Sequence, residues 1–204
     1  LLNLNTLKDK TASLFTESQI NRLLQLSESD SDRMIREIML AGGKRIRPLL
    51  TVLTYESFSK SPDPIMLEHL AMSVECFHKA SLIHDDIEDN DNTRYGKETL
   101  HARFGIPVAI NAGDLLIGEG YRLLAESGLP AERLRNCLSV ISNGHKILSV
   151  GQGTELLARR TGQILPVHEV LKVFEQKTAA AFKVALLSGA VAAGADAETC
   201  ELLS

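Results

Sequence analysis

Residues 81–91 read SLIHDDIEDND and place five acidic side chains in seven positions: Asp85, Asp86, Glu88, Asp89 and Asp91. An apolar, helix-like stretch, residues 70–83, runs straight into them. Negative charge at that density is costly unless water or cations compensate it. If the helix continues through the motif, Asp85 and Asp89 lie four residues apart on one face, with Asp86 beside them. Three converging carboxylates suit a hard, oxygen-seeking divalent cation. Mg²⁺ is favoured, because it takes few protein carboxylates and fills its shell with water and substrate phosphate. The same residues also suit a solvated acidic helix end, so the rest of the chain must decide.

A second group is GGKRIRP, residues 42–48. Two glycines allow a tight turn, and Lys44, Arg45 and Arg47 then project where a helix begins. Cations together with free backbone N–H groups at a helix start make a diphosphate site. A basic loop with a helix cap is the plainer reading. His78 stands seven residues before Asp85, two turns back on the same face, where it could donate to a phosphate oxygen. Arg94 follows Asp89 by five residues and could bind a phosphate bridged to the carboxylates by Mg²⁺. Gln152, Lys177 and Thr178 are polar positions inside long helical patterns. Each of these also reads, alone, as an ordinary structural or surface residue. A carboxylate cluster for Mg²⁺ and a separate cationic loop, inside apolar walls, are what ionisation of an allylic diphosphate requires. No nucleophile elbow, HExxH or P-loop is present.

The elements that must position these groups are helical almost throughout. The spacing predicts helices over residues 7–26, 34–40, 47–58, 65–89, 100–104, 108–127, 130–159, 167–193 and 197–204. Residues 27–32 are polar and suited to capping, and 41–43, 59–64, 90–99 and 161–166 read as turns or loops. No strand alternation, internal repeat or low-complexity linker is visible. The expected architecture is all-α: a single bundle of long antiparallel helices, one domain over residues 1–204.

At 204 residues and 44% hydrophobic content, one substantial core is within reach. A net charge of −4, with basic residues scattered apart from 44–47, argues against nucleic acid as the main partner. Cys76, Cys137 and Cys200 are odd in number, far apart and in apolar contexts. They are expected to be reduced core residues of a cytoplasmic protein. No apolar run reaches bilayer length and no signal peptide is visible.

With these groups in place, the chain resembles the trans-isoprenyl diphosphate synthases, the family that makes farnesyl, geranylgeranyl and longer polyprenyl diphosphates. The resemblance rests on six segments in order: GGKRIRPLL, VECFHKASLIHDDIEDND, Arg94 with Gly96, AINAGDLLIGEGY, GQGTEL and KTAAAF. It implies the isoprenoid synthase fold, helices around a central cavity. It also implies condensation of isopentenyl diphosphate with an allylic diphosphate, Mg²⁺ as cofactor, and a homodimer. By that resemblance Asp85, Asp86 and Asp89 bind Mg²⁺ and the allylic diphosphate, joined by Arg94 and Lys177. Lys44, Arg47 and His78 bind isopentenyl diphosphate, with Arg45 as a helper. Gln152 and Thr178 line the reaction centre.

Two departures stand out. The family usually carries Arg-Arg-Gly where this chain has Arg94-Tyr95-Gly96, and one lost charge-assisted contact costs on the order of 2 kcal/mol of binding. The family's second aspartate-rich motif is not within the 204 residues, so the sequence is expected to be part of a longer protein. Product length is expected to follow a pocket at Phe77, Ala80 and Ser81. Ala80 stands where short-chain enzymes carry a bulky aromatic, and Phe77 could form a floor one turn deeper. The expected product is therefore longer than fifteen carbons, roughly twenty to twenty-five. Two other readings compete: a non-catalytic subunit of a heteromeric synthase, and a terpene cyclase, against which the second cationic site argues.

Overall fold

The computed structural model describes Asp9 and residues 11–204. Its elements are α1 (Glu17–Leu23), α2 (Asp30–Leu40), α3 (Ile46–Phe58), α4 (Pro64–Asp89), β1 (Thr93–Arg94), β2 (Lys97–Glu98), α5 (Leu100–Phe104), α6 (Ile106–Ala125), α7 (Ala131–Thr161), α8 (Val167–Phe174), a π-helical turn (Glu175–Ala179), α9 (Ala180–Ala193) and α10 (Ala197–Leu202). The all-α expectation therefore holds. Capping chemistry sets many of the boundaries. Thr16 accepts from the Gln19 N–H, Ser29 from Asp32 and Asp63 from Ile65 and Met66, with Pro64 opening α4. Asn90 ends α4 in the left-handed region at φ 55°.

Two expectations are corrected. Residues 7–26 do not form one helix over their described part: the chain turns at residues 14–16 and Thr16 starts α1 afresh, while residues 7, 8 and 10 lie outside the described residues. The segment 90–99 is not turn alone. It contains a two-residue antiparallel hairpin pairing Thr93 with Glu98 and Arg94 with Lys97. Tyr95 (φ 53°) and Gly96 (φ 76°) supply the two positive φ values that a tight hairpin turn needs. So short a ladder leaves no alternation to read. The helix expected over 167–193 runs without interruption, its middle widened into the π turn.

Packing divides the chain into two compact units. One comprises Leu1–Val52 and Asp63–Gly128, the other Leu53–Pro62 and Leu129–Ser204. In the first, α4 lies along α6, and the Ser73 hydroxyl donates to the Gly120 carbonyl at 2.7 Å. Ile20, Ile35, Met39, Leu70, Met72 and Leu116 are fully buried there. In the second, α7 packs on α9 around Cys137, Ile141, Ala185 and Ala190. Cys76 and Cys137 are buried, Cys200 is half-buried, and all three are free thiols. Burial pushes the Cys137 thiol up to about 12. No helix among the described residues is long and apolar enough to cross a membrane.

Candidate active site

The first unit carries the acidic end of α4. Asp85 and Asp89 are half-buried and one turn apart. Asp86 differs: it is 5% exposed and turned to the hairpin. Arg94 Nε donates to Asp86 Oδ1 at 2.5 Å, its Nη2 pairs with the same oxygen, and Nη2 lies 3.7 Å from Asp91 Oδ2. The hydrogen bond to Asp86 holds the Arg94 guanidinium above its ordinary pKa. Of the three carboxylates expected at a metal, Asp86 is thus the one engaged by a cation of the hairpin. Position 86 lies about 100° round the helix from position 85, and Arg94 takes its carboxylate.

Among the described residues no three His, Cys, Asp or Glu side chains gather to hold a metal. Mg²⁺ needs only one or two protein carboxylates when substrate phosphate and water complete its shell. Asp85 and Asp89, both oxygen donors at helix spacing four, fit that demand.

Above the same helix stands the basic loop, residues 42–48. Gly43 adopts φ 114°. A Cβ on Gly42 would lie 3.1 Å from Tyr95 Cγ, so the loop backbone runs directly under the hairpin's aromatic ring. Lys44 is exposed. Arg45 is turned inward: its guanidinium donates to the Phe15 carbonyl (3.3 Å) and the Met39 carbonyl (3.2 Å) and stacks 4.3 Å above the Phe15 ring. It braces the loop rather than presenting a free charge.

Arg47 Nη1 lies 3.2 Å from His78 Nε2. A guanidinium only donates, so Nε2 is the acceptor and His78 is neutral. Burial, with Arg47, Lys79 and Arg94 nearby, pushes His78 down to about 3. Any donation from His78 to a phosphate therefore falls to Nδ1.

Two residues of this region carry no signal in the sequence reading. Lys79 is buried and donates to the carbonyls of Ala41 and Gly42, the latter at 3.2 Å. Glu75, one turn earlier on α4, is 1% exposed. Their spacing of four was available, but nothing in the composition of α4 shows that these charges face inward.

The pocket residues expected to set product length separate. Ala80 is buried and Phe77 half-buried, whereas Ser81 is exposed and donates to the His78 carbonyl at 2.8 Å. Phe77 meets Tyr121 edge to face, with ring centroids 4.9 Å apart.

Gln152, Lys177 and Thr178 belong to the second unit. Lys177 and Thr178 lie in the π turn, a distortion often found at functional positions. A Cβ on Gly151 would sit 2.7 Å from Gln176 Cβ, so only glycine lets α7 approach the turn so closely. Lys177 Nζ pairs with Glu155 Oε2 at 2.6 Å, and Arg159 donates to Glu155 Oε1 at 3.0 Å. The Lys177 hydrogen bond holds the Glu155 carboxyl below its ordinary pKa. Gln152 is half-buried and Thr178 exposed.

The family profile described as Polyprenyl synthetase matches residues 28–204. The chain is 33% identical to a geranylgeranyl diphosphate synthase of Sulfolobus acidocaldarius over 169 residues, which cover 82% of this chain and 50% of that protein. It is 37% identical to a geranylfarnesyl diphosphate synthase of Aeropyrum pernix over 164 residues, covering 79% and 51%. Among solved structures, a geranylgeranyl pyrophosphate synthetase from Pyrococcus horikoshii superposes with a TM-score of 0.85 at 32% identity, covering 98% of this chain and 60% of that one. The chain spans about half the length of the curated relatives it matches. With the profile running over most of its length, and prenyl synthases as its structural neighbours, the chain belongs to the polyprenyl synthetase family.

Proposed function

We propose that the protein containing this chain condenses isopentenyl diphosphate with an allylic diphosphate to give a longer trans-polyprenyl diphosphate. The observation that carries this reading lies within the first unit. There a cationic loop and an acidic helix end are tied to one helix, α4, by Lys79, His78 and the Asp86–Arg94 pair. Two adjacent regions of opposite charge suit two diphosphates, one bound directly by cations and one through Mg²⁺. Relatives named geranylgeranyl, geranylfarnesyl and farnesyl diphosphate synthases support the substrate class.

In this reading Lys44 and Arg47 hold the diphosphate of isopentenyl diphosphate, and the neutral His78 keeps Arg47 aimed. Asp85 and Asp89 would hold Mg²⁺, which neutralises the charge that builds on the leaving diphosphate. Arg94 serves the allylic diphosphate. The allylic C–O bond breaks, the isopentenyl double bond attacks the allylic carbon, and loss of a proton restores a double bond. Apolar side chains on α4 keep water from the cation. A homodimer in the cytoplasm is the working form this reading expects.

The test is product formation by the full-length protein, supplied with labelled isopentenyl diphosphate, an allylic diphosphate and Mg²⁺. Chain-lengthened product dependent on all three is expected. Consumption of the allylic diphosphate at the same rate without isopentenyl diphosphate would indicate a cyclase instead, and no reaction of either kind would overturn the reading.

A further inference from the structure

Glu75 is the most deeply buried of the charged side chains among the described residues, at 1% exposure. Its Oε2 accepts no hydrogen bond within the described structure. A carboxylate in that setting is costly unless charge compensates it. Three cations offset part of that cost: Lys79, Arg45 and Arg47 each act electrostatically on Glu75. These same cations shape the basic loop. Lys79 holds the carbonyls of Ala41 and Gly42, Arg45 holds those of Phe15 and Met39, and Arg47 reaches His78. Glu75 is thus a single buried anion among the three side chains that set the loop's path.

We propose that Glu75 is a positioning residue for the diphosphate bound by the basic loop: its buried charge fixes Arg47 and Lys79, and through them the loop, without touching substrate. The inference rests on the prenyl-transfer reading given above. Its counterpart is a carboxylate kept only for folding, and the two differ in sign. Burial outweighs the three cations and raises the Glu75 carboxyl above its ordinary pKa. Ionised Glu75 is therefore unfavourable to the folded state at neutral pH, and a neutral isostere should fold as well or better.

The experiment compares Glu75→Gln and Glu75→Asp with the wild-type full-length protein at pH 8. For Glu75→Gln the thermal midpoint is expected to stay level or rise. Its KM for isopentenyl diphosphate should rise roughly tenfold or more, while KM for the allylic diphosphate changes less than about threefold. Glu75→Asp, which keeps the charge, should recover most of the loss. A drop in midpoint, a failure of Glu75→Gln to fold, an equal rise in both KM values or no change in either would overturn the proposal. Inorganic diphosphate gives a readout free of turnover. Glu75→Gln should need roughly tenfold more of it to raise the thermal midpoint as far as in the wild type. A wild type that turns over no isopentenyl diphosphate would sink the prenyl-transfer reading, and the diphosphate shift would still decide the role of Glu75.

Discussion

Lys79 sits against the face of Tyr95, its Nζ 5.4 Å from the ring centre, while donating to the carbonyls of Ala41 and Gly42. One buried ammonium therefore joins the hairpin tip to the glycine turn of the basic loop. The ring packs on Gly42, leaving its hydroxyl over Gly43. An aromatic here supplies a face for Lys79 but no charge for a diphosphate. Tyr95→Arg is expected to lower KM for isopentenyl diphosphate by about 2 kcal/mol, roughly thirtyfold, if the added cation reaches the phosphate. Steady-state kinetics of the full-length variant check this. A KM equal to or above that of the wild type would show that the ring's seat on Gly42 matters more than the missing charge.

Asp86 should behave unlike its two acidic neighbours. Asp86→Asn removes the charge that Arg94 pairs with, where the Asp86 side chain is 7% exposed and that of Arg94 30%. Breaking a buried pair costs several kcal/mol, and the partial exposure of Arg94 brings the expected loss to about 2 kcal/mol. Asp85→Asn and Asp89→Asn should raise the Mg²⁺ concentration needed for activity more than Asp86→Asn does. Thermal denaturation beside Mg²⁺ titrations of all three variants separates the roles. Three indistinguishable variants would return Asp86 to the metal set.

Much of this arrangement is legible in the sequence because it follows from local pattern. The long apolar helix α4 runs into the acids as its spacing predicts, and Ser29, Asp63 and Asn90 bound their helices through short-range hydrogen bonds. What is not legible depends on direction. Arg45 and Arg47 are two residues apart in one basic run, yet one turns inward to the Phe15 carbonyl and the other towards His78. Asp85 and Asp86 are adjacent, yet only Asp86 is taken by Arg94. The π turn at Lys177 lies where Gly151 of another helix comes close, and no window of residues 167–193 contains that approach.

Phe77 and Tyr121 form an edge-to-face pair backed by Gly120, where an added Cβ would lie 2.6 Å from Phe77 Cε1. The pair lies on the face shared by α4 and α6, and the prenyl-transfer reading makes it the proposed floor of the product pocket. Phe77→Ala should lengthen the product by one or more five-carbon units, with Tyr121 then the remaining obstruction. Because Phe77 is only half-buried, the stability loss should be about 2 kcal/mol, below that of a fully buried Phe→Ala. Chromatography of the products by chain length decides the matter, and an unchanged product would remove Phe77 from the floor.

His78 gives the fold an acid limit. Its pKa falls from 6.5 to about 3, first by burial and then by Arg47, Lys79 and Arg94. The folded state thus prefers the neutral ring more strongly than the unfolded chain does. The resulting stability is complete above about pH 6.5 and is lost as pH falls from there towards 3, while protons bind the unfolded chain first. Glu75, shifted upward, acts in the opposite sense as pH falls, and the lowered Glu155 carboxyl enters only below its ordinary value of 4.5. Between pH 6.5 and 5 His78 should therefore dominate the slope among these three. His78→Gln keeps an acceptor for Arg47 without a titrating ring. Its denaturation midpoint should fall less steeply than that of the wild type across this window, and two parallel curves would show that His78 is not buried as a neutral ring.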